Sequence, residues 1–363
     1  MLHHRLDGPE GAVPLILGPS LGTSLAVWEP QLPALTRAFR VLRFDLPGHG
    51  GSAPLPARTM EELAGLVLEL ADAQEWESFH YAGISIGGAV GATLAVHRPG
   101  RLRSLAMICS SARFGEPRDW RDRAELVRAE GTAPLVPSAA GRWFAGPVET
   151  RLLEDLANAD PAGYAGCCDA LAGYDLRARL GEIAVPTLVL AGRDDPATPP
   201  AHARELADGI PAATLTEVPG AAHLAGVDRP EAVTAALLAH LPVAAGMRVR
   251  REVLGDAHVD RAVAGTTDLT RDFQDLITRY AWGEIWTRPG LSRRTRSCIT
   301  LTALLAHGHM EELAMHVRAA VRNGLTPAEI GEVLLHNAIY CGVPAANAGF
   351  AVAQRVLAEI GDG

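Results

Sequence analysis

The sequence contains no lysine, so all 33 of its basic residues are arginine. A Walker A loop, a lysine Schiff base and covalently held pyridoxal phosphate each need a lysine side chain, and all three are therefore excluded. The formal net charge is −9, which argues against a nucleic-acid partner because such partners select a basic surface. We expect chemistry that uses no cofactor and no metal.

Long apolar runs are also missing, since no stretch approaches the ~20 residues that a membrane span requires. The N-terminal residues lead into Gly and Pro rather than into the apolar run of a signal peptide. The five cysteines form no C-x-x-C motif and suggest no disulfide framework. We expect a cytoplasmic protein that has no membrane partner.

Short apolar runs alternate with helical patterns from residue 13 to about 242. The predicted strands cover 13–17, 41–44, 79–82, 102–108, 187–191 and 214–218, and the predicted helices lie near 60–75, 86–98, 200–208 and 229–241. This alternation predicts an α/β domain over residues 1–242, built on a mostly parallel sheet. Residues 113–182 interrupt the alternation without a clear strand. We expect them to form a helical lid over the carboxyl ends of the strands, where α/β proteins bind ligands.

The pattern changes near residue 246, beyond which no β run follows. Helix-capping signals come one after another: Ser292 can begin a helix, Gly324 can end the next, and Thr326 with Glu329 forms a capping box. The sequence therefore predicts a second, smaller all-α domain over residues 248–363.

The run Gly83-Ile84-Ser85-Ile86-Gly87 is a G-x-S-x-G motif placed between a predicted strand and a predicted helix. At such a turn the serine backbone is strained and its hydroxyl is exposed, while the flanking glycines relieve crowding. A nucleophilic serine also needs a base, an orienting acid and donors for an oxyanion. Because a five-residue pattern also occurs in ordinary tight turns, the motif has to be judged by its partners elsewhere in the chain.

An acid and a histidine follow the last two predicted strands, in the chain order Ser, Asp, His that this arrangement requires. Asp195 lies in the turn after one strand and His223 in the loop after the next. We predict Ser85 as the nucleophile, His223 as its base and Asp195 as the acid that orients the base, with neighbouring Asp194 in solvent. A turn aspartate and a surface histidine are the alternative interpretation.

Two backbone N–H groups are predicted to form the oxyanion hole. One belongs to Ile86, directly after the nucleophile, and the other to Leu21, in the loop after the first predicted strand. His49 is a further candidate base, but it precedes the strand-to-helix turn of residues 83–87, which we call the elbow, and we interpret it as structural.

Several of these motifs together resemble those of a known superfamily. The runs Ser20-Leu-Gly-Thr23 and Asp45-Leu-Pro-Gly-His-Gly-Gly-Ser52, the elbow, and the segment 191–200 make residues 1–242 similar to the α/β-hydrolase superfamily, and within it to the 3-oxoadipate enol-lactonases. The resemblance implies acyl transfer on a small-molecule lactone. In the predicted lid, Arg142 and Trp143 are candidates for binding a substrate carboxylate, since a guanidinium binds carboxylate bidentately. An exposed arginine beside a lid core is the alternative.

The second domain carries His309, Glu312 and His316 at a spacing that places all three on one helix face. A carboxylate beside an imidazole raises the imidazole pKa, and we expect this effect to suit His316 to proton donation. A solvated helix face with a chance ion pair is the alternative. Zinc ligation is a further option, but the arrangement does not match H-E-x-x-H.

Residues 265–360 resemble the carboxymuconolactone decarboxylase family, which is related to the alkylhydroperoxidases. The two positions where alkylhydroperoxidases carry C-x-x-C are His309 and Glu312 in this chain, so the resemblance does not extend to peroxidase chemistry. It implies His316 as a catalytic residue with Glu312 as its partner. It also implies, more weakly, substrate binding by Arg288, Arg296 and His309.

Taken together, the two resemblances imply consecutive reactions on one chain. Loss of CO₂ from 4-carboxymuconolactone gives 3-oxoadipate enol-lactone, the ester that the first domain would hydrolyse. The resemblance therefore implies a bifunctional enzyme of the protocatechuate branch of the 3-oxoadipate pathway. We also expect homo-oligomerisation through the helical domain, because small all-α domains of this type bury an apolar face against copies of themselves.

Two rival interpretations remain from the sequence. One is a serine esterase or cofactor-free perhydrolase whose helical domain is only an oligomerisation scaffold. The other is a non-catalytic binding module with a decayed triad.

Overall fold

The computed structural model describes residues 1–211 and 213–361. The chain divides into two compact units, Met1–Leu241 and Pro242–Gly363. Residues 362 and 363 of the predicted second domain lie outside the described residues. None of the described helices combines the length and the apolar character that crossing a membrane would require.

The first unit is built on a seven-stranded sheet with the order β1-β3-β2-β4-β5-β6-β7. Its strands are β1 His4–Asp7, β2 Val13–Gly18, β3 Phe39–Phe44, β4 Phe79–Ile84, β5 Leu102–Ile108, β6 Thr187–Gly192 and β7 Ala213–Val218. All neighbouring pairs are parallel except β1 with β3. The predicted α/β class is confirmed.

Strand β1 is the one strand of this sheet that the sequence analysis missed. Its four residues include three that are charged or polar, so no apolar run marks it. Pairing with β3 supplies what the local sequence lacks. Arg43 on β3 is buried and forms an ion pair with Asp7 at 2.9 Å, which fastens the polar strand to the sheet edge.

Helices surround this sheet and build the predicted lid. They are α1 Leu32–Leu35, α2 Met60–Ala73, α3 Ile86–His97, α4 Pro117–Glu130, α5 Val136–Trp143, α6 Thr150–Ala157, α7 Pro161–Gly173, α8 Pro200–Gly209, α9 Ala225–Asp228 and α10 Pro230–His240, with 3₁₀ turns at Leu25–Gln31, Pro99–Arg101, Ala133–Leu135 and Arg177–Glu182. The lid consists of α4 to α7, which the chain inserts between β5 and β6. Parallel strands β4, β5 and β6 end at one edge of the sheet, so the loops that follow them meet there.

The described residues of the second unit form helices and their connections. The helices are α11 Pro242–Leu254, α12 Asp256–Ala264, α13 Asp268–Ile277, a π-helix Thr278–Ile285, α14 Arg293–His307, α15 Met310–Arg322, α16 Pro327–Cys341 and α17 Val343–Gly361. Helix α11 thus begins six residues before the start predicted for this domain.

The capping signals act as their sequence indicates. Ser292 caps α14 by accepting the Thr295 N–H, and α16 begins with the complete capping box of Thr326 and Glu329. The π-helix was not predicted. It brings Trp282 into a buried cluster with Val249, Val253 and Val259, separate from the leucine-rich core of helices α14 to α17.

Candidate active sites

Ser85 occupies the sharp turn between β4 and α3 in a strained backbone conformation, with φ +56° and ψ −119°. Glycines on either side make this turn possible. A Cβ at Gly83 would lie 2.2 Å from the carbonyl carbon of Gly87, and a Cβ at Gly87 would lie 2.6 Å from the Gly18 carbonyl oxygen. Both distances are below any real van der Waals contact, so only glycine fits and the serine is held at the sheet edge.

Asp195 and His223 are buried and hydrogen-bonded to each other, with 2.9 Å between Asp195 Oδ2 and His223 Nδ1. The Thr198 hydroxyl donates to the same Oδ2 at 2.7 Å, while the N–H groups of Ala197 and Thr198 donate to Oδ1. Burial alone would raise the pKa of Asp195, but the charge and hydrogen bond of His223, together with Thr198, hold it below its ordinary value. Asp194, in contrast, is exposed.

Ser85 and His223 line one cavity of about 250 Å³, and three other predicted site residues line it with them: Leu21, Arg142 and Trp143. Ile86 is fully buried directly after Ser85 and is the first residue of α3, where a helix leaves its N–H groups without helical acceptors. The arrangement can bind a carbonyl beside the Ser85 hydroxyl and present N–H donors to an oxyanion.

The lid contributes cavity residues that the sequence analysis did not single out. Trp120, Arg123 and Tyr164 all line the wall that α4 and α7 present to the cavity. The sequence did contain a signal for Trp120 and Arg123, because residues three apart on a predicted helix share one face. Tyr164 carried no signal, since only the packing of α7 against α4 brings it to the cavity.

His49 does not line this cavity. It is buried, stacks on Tyr164 with ring centroids 5.7 Å apart, and its Nδ1 lies 2.9 Å from the Pro47 carbonyl oxygen. Burial lowers its pKa. These contacts agree with the structural interpretation of this histidine.

In the second unit His316 lies half-buried against Trp282, with ring centroids 6.5 Å apart and nearly parallel planes, and Trp286 packs on Trp282. The expectation of a raised imidazole pKa is wrong. Burial, followed by the neighbouring positive charge of His258, lowers the pKa of His316 to about 4, and these effects outweigh the opposing charge of Glu312. His316 is therefore neutral at pH 7.

Of the helix face predicted for His309, Glu312 and His316, the structure keeps the Glu312–His316 part on α15 but not His309. His309 is the N-cap of α15 with non-helical dihedral angles, and its exposed ring stacks on His307 instead. Glu312 is exposed in the first turn of α15, one turn before His316. The helix starts one residue later than the face requires, because Gly308 ends α14 in a left-handed conformation and turns the chain.

The two arginines that the family resemblance implied meet each other rather than His316. Arg296 Nη2 donates to the backbone carbonyl of Arg288 at 2.8 Å, and the Arg288 side chain is exposed. Among the contacts of the described residues, neither guanidinium hydrogen-bonds to His316 or Glu312. The described residues also contain no cluster of three His, Cys, Asp or Glu side chains placed to hold a metal ion.

Comparison with known proteins assigns the two units. The sequence profile of the alpha/beta hydrolase family matches residues 15–237, and that of the carboxymuconolactone decarboxylase family matches residues 271–355. The chain therefore belongs to the alpha/beta hydrolase family, and its C-terminal part belongs to the carboxymuconolactone decarboxylase family.

Individual relatives show which enzymes each of the two units is similar to. 3-Oxoadipate enol-lactonase 2 of Acinetobacter baylyi is 36% identical over 239 residues, which cover 64% of this chain and 89% of that protein. The 4-carboxymuconolactone decarboxylase of the same organism is 48% identical over 116 residues, covering 32% of this chain and 87% of that protein. The crystal structure of the enol-lactonase from Burkholderia xenovorans LB400 matches with a TM-score of 0.63 at 37% identity, covering 66% of this chain and 96% of that one. The chain is a fusion of an enol-lactonase homologue with a 4-carboxymuconolactone decarboxylase homologue.

Proposed function

We propose that the chain is a cytoplasmic bifunctional enzyme of the protocatechuate branch of the 3-oxoadipate pathway. It would decarboxylate 4-carboxymuconolactone in the second unit and hydrolyse the resulting 3-oxoadipate enol-lactone in the first. The observation that carries the hydrolase half is the strained Ser85 elbow, which shares one cavity with the buried His223–Asp195 pair. The decarboxylase half is supported by family membership and by the half-buried His316.

In the hydrolase half, the Ser85 hydroxyl attacks the lactone carbonyl and His223 accepts its proton. Asp195 accepts the hydrogen of His223 Nδ1, so the ring presents its other nitrogen to the serine. The N–H groups of Leu21 and Ile86 stabilise the tetrahedral oxyanion. Ring opening gives an enol that returns to the ketone, and water then releases the acyl group as 3-oxoadipate through the same base.

In the decarboxylase half, the departing carboxylate is attached next to a conjugated lactone. Its C–C electron pair passes through the double bond into the lactone carbonyl, CO₂ leaves, and the resulting dienolate takes up one proton. His316 is neutral at pH 7, so it would act through an uncharged imidazole that donates its N–H to the dienolate or relays the proton. The family resemblance offers Glu312 as the partner of His316, and Arg288, Arg296 and His309 as candidates for substrate binding.

A Ser85→Ala variant tests both halves in one reaction mixture. With 4-carboxymuconolactone as substrate, we expect CO₂ release to continue at the wild-type rate while the enol-lactone accumulates, apart from its slow spontaneous hydrolysis. Loss of CO₂ release in this variant, or unchanged lactone hydrolysis, would contradict the proposal.

A His316→Ala variant tests the rival in which the helical unit is only a scaffold for an esterase or perhydrolase. The bifunctional proposal expects CO₂ release to fall while added enol-lactone is still hydrolysed. The scaffold interpretation expects no change with any substrate. His336→Ala is the matched control, because His336 is exposed and lies on another helix.

We further propose that copies of the chain associate through the second unit. This unit exposes many large apolar side chains, among them Leu269, Phe273, Leu335, Ile339, Tyr340 and Val343. A monomer in water rarely leaves so many exposed together, which supports burial against another copy. Sedimentation analysis of the wild type and of Ile339→Glu tests this, with a shift to smaller species expected in the variant. Wild-type protein that sediments as a monomer would contradict it.

A further inference from the structure

The region from Arg113 to Glu182, which contains the lid, is rich in arginine, and most of these side chains pair with carboxylates. The ion pairs are Arg113–Glu116, Arg118–Asp122, Arg128–Asp169, Arg151–Glu29, Arg177–Asp175 and Arg179–Glu182. Arg123 and Arg142 differ from this group: within the lid, every residue of which the structure describes, neither forms an ion pair. Both line the cavity that holds Ser85 and His223.

Contacts to neutral groups hold both side chains against the cavity wall. The Arg123 guanidinium carbon lies 4.6 Å from the centroid of the Trp120 ring, one turn earlier on α4, in a cation–π arrangement. On α5, Arg142 Nε donates to the Ser138 carbonyl oxygen at 3.1 Å. Both side chains are half-buried, so each is partly withdrawn from solvent.

The two positive charges lie close enough to act on each other and on the same neighbour. Burial lowers the pKa of Arg142, and the charge of Arg123 lowers it further. Burial raises the pKa of the Tyr164 hydroxyl, while the charges of both arginines oppose that rise. The charges of both guanidinium groups therefore act on the Tyr164 hydroxyl.

Two acidic residues also border this cavity, but neither neutralises the pair. Glu116 is engaged with Arg113, whose Nη2 donates to it at 2.8 Å. Asp119 lies four residues before Arg123 on α4 yet forms no ion pair with it within the fully described lid. Two unneutralised guanidinium groups on one wall repel each other, and an anion bound between them would remove that repulsion.

We propose that Arg123 is a specificity-determining residue of the hydrolase site, where it binds, together with Arg142, a carboxylate group carried by the ester or lactone substrate. The inference rests on the proposed function, because 3-oxoadipate is a diacid and its enol-lactone uses one acid group in the ring and keeps the other free. With the lactone carbonyl at Ser85, the free carboxylate would face the lid. Neutral esters would lack this anchor, so the lid selects acidic substrates.

A matched pair of nitrophenyl esters tests this inference independently of the natural substrate. The nitrophenyl ester of hexanoic acid and the nitrophenyl monoester of adipic acid have the same acyl chain length and differ in one terminal carboxylate. For Arg123→Gln and for Arg142→Gln, we expect kcat/KM on the adipate monoester to fall about 10- to 100-fold, mainly through KM, since one charge-assisted hydrogen bond is lost. On the hexanoate ester we expect no more than a twofold change.

Two further variants separate charge from shape and from position. Arg123→Lys keeps the charge but loses the planar fork that stacks on Trp120, so its loss on the adipate monoester should be smaller than that of Arg123→Gln. Arg121→Gln makes the same charge change on an exposed position of α4 and should leave both esters unaffected.

Equal losses on both esters would show that Arg123 only shapes the lid, and no loss on the adipate monoester would show that it binds nothing there. Either result overturns the inference. Hydrolysis of enol-lactone by the wild type is measured alongside. If the wild type fails to hydrolyse it, the proposed function falls, while the ester pair still decides the role of Arg123.

Discussion

Replacing Asp195 with asparagine is a sharp test of the proposed triad, because the surrounding donors decide which way the new amide points. Oδ1 of Asp195 accepts two backbone N–H groups, from Ala197 at 2.8 Å and Thr198 at 3.0 Å. An amide NH₂ group at the Oδ1 position would face two N–H donors, so the amide oxygen of the asparagine has to occupy that position. The NH₂ group must then occupy the Oδ2 position, 2.9 Å from His223 Nδ1.

An NH₂ group in that place donates to His223 Nδ1 and forces the ring proton onto Nε2. The imidazole then presents an N–H to Ser85 and has no lone pair with which to accept the serine proton. The expected loss in kcat for lactone hydrolysis is about 10⁴-fold, the usual consequence of the wrong tautomer, which corresponds to about 5 kcal/mol of barrier. The side-chain volume hardly changes, so the fold should persist.

Steady-state hydrolysis of the enol-lactone measures this effect, and CO₂ release from 4-carboxymuconolactone by the same sample serves as an internal control. Asp194→Asn is the matched control variant. It makes the same chemical change one residue away, at an exposed position. A loss of less than tenfold in Asp195→Asn, or an equal loss in Asp194→Asn, would refute the tautomer argument.

Three further predictions concern the turn at Ser85 and the buried histidines. Gly87→Ala should lower the free energy of unfolding, measured in urea, by roughly 1–3 kcal/mol, because the new Cβ meets the backbone of Gly18. Gly65→Ala, which has open space around it in α2, should raise that free energy by about 0.5–1 kcal/mol, and equal effects of the two variants would contradict the packing argument. Burial lowers the pKa of His80 to about 3, so below about pH 6.5 the unfolded state binds a proton that the folded state does not bind. The free energy of unfolding should therefore fall as the pH drops from about 6.5 toward about 4, and it should fall less steeply in His80→Gln. The pKa of His316, lowered to about 4, predicts that CO₂ release shows no His316-dependent break between pH 8 and 5, and a break near 6.5 that disappears in His316→Gln would contradict this.

Much of the hydrolase unit could be read from local sequence, because its determinants are local. Strand β5 was predicted with its observed bounds, since a run of apolar residues between turn signals defines a buried parallel strand. The positions of Ser85, Asp195 and His223 after β4, β6 and β7 followed from the same reasoning, because parallel strands place the loops at their carboxyl ends at one edge of the sheet. Strand β1 was missed, since its polar residues are held by pairing with β3 and by an ion pair to it rather than by an apolar run of their own.

The second unit shows where local reasoning stops. The caps at Ser292 and Thr326 act within one turn of helix, so sequence sufficed to place them. The pKa of His316 depends on the burial of its ring, beside which Trp282 of the π-helix lies, and burial by distant segments leaves no trace in the residues next to His316.

The sequence by itself determined the α/β and all-α classes, the G-x-S-x-G turn and the order of Ser85, Asp195 and His223, and its lack of lysine excluded reactions that need a lysine side chain of this chain. Only the tertiary structure decided that His316 is neutral and that Arg123 shares the Ser85 cavity with Arg142 as an unneutralised pair. The reason is physical: backbone strain and strand order are set by neighbours in the chain, whereas burial and charge are set by neighbours in space.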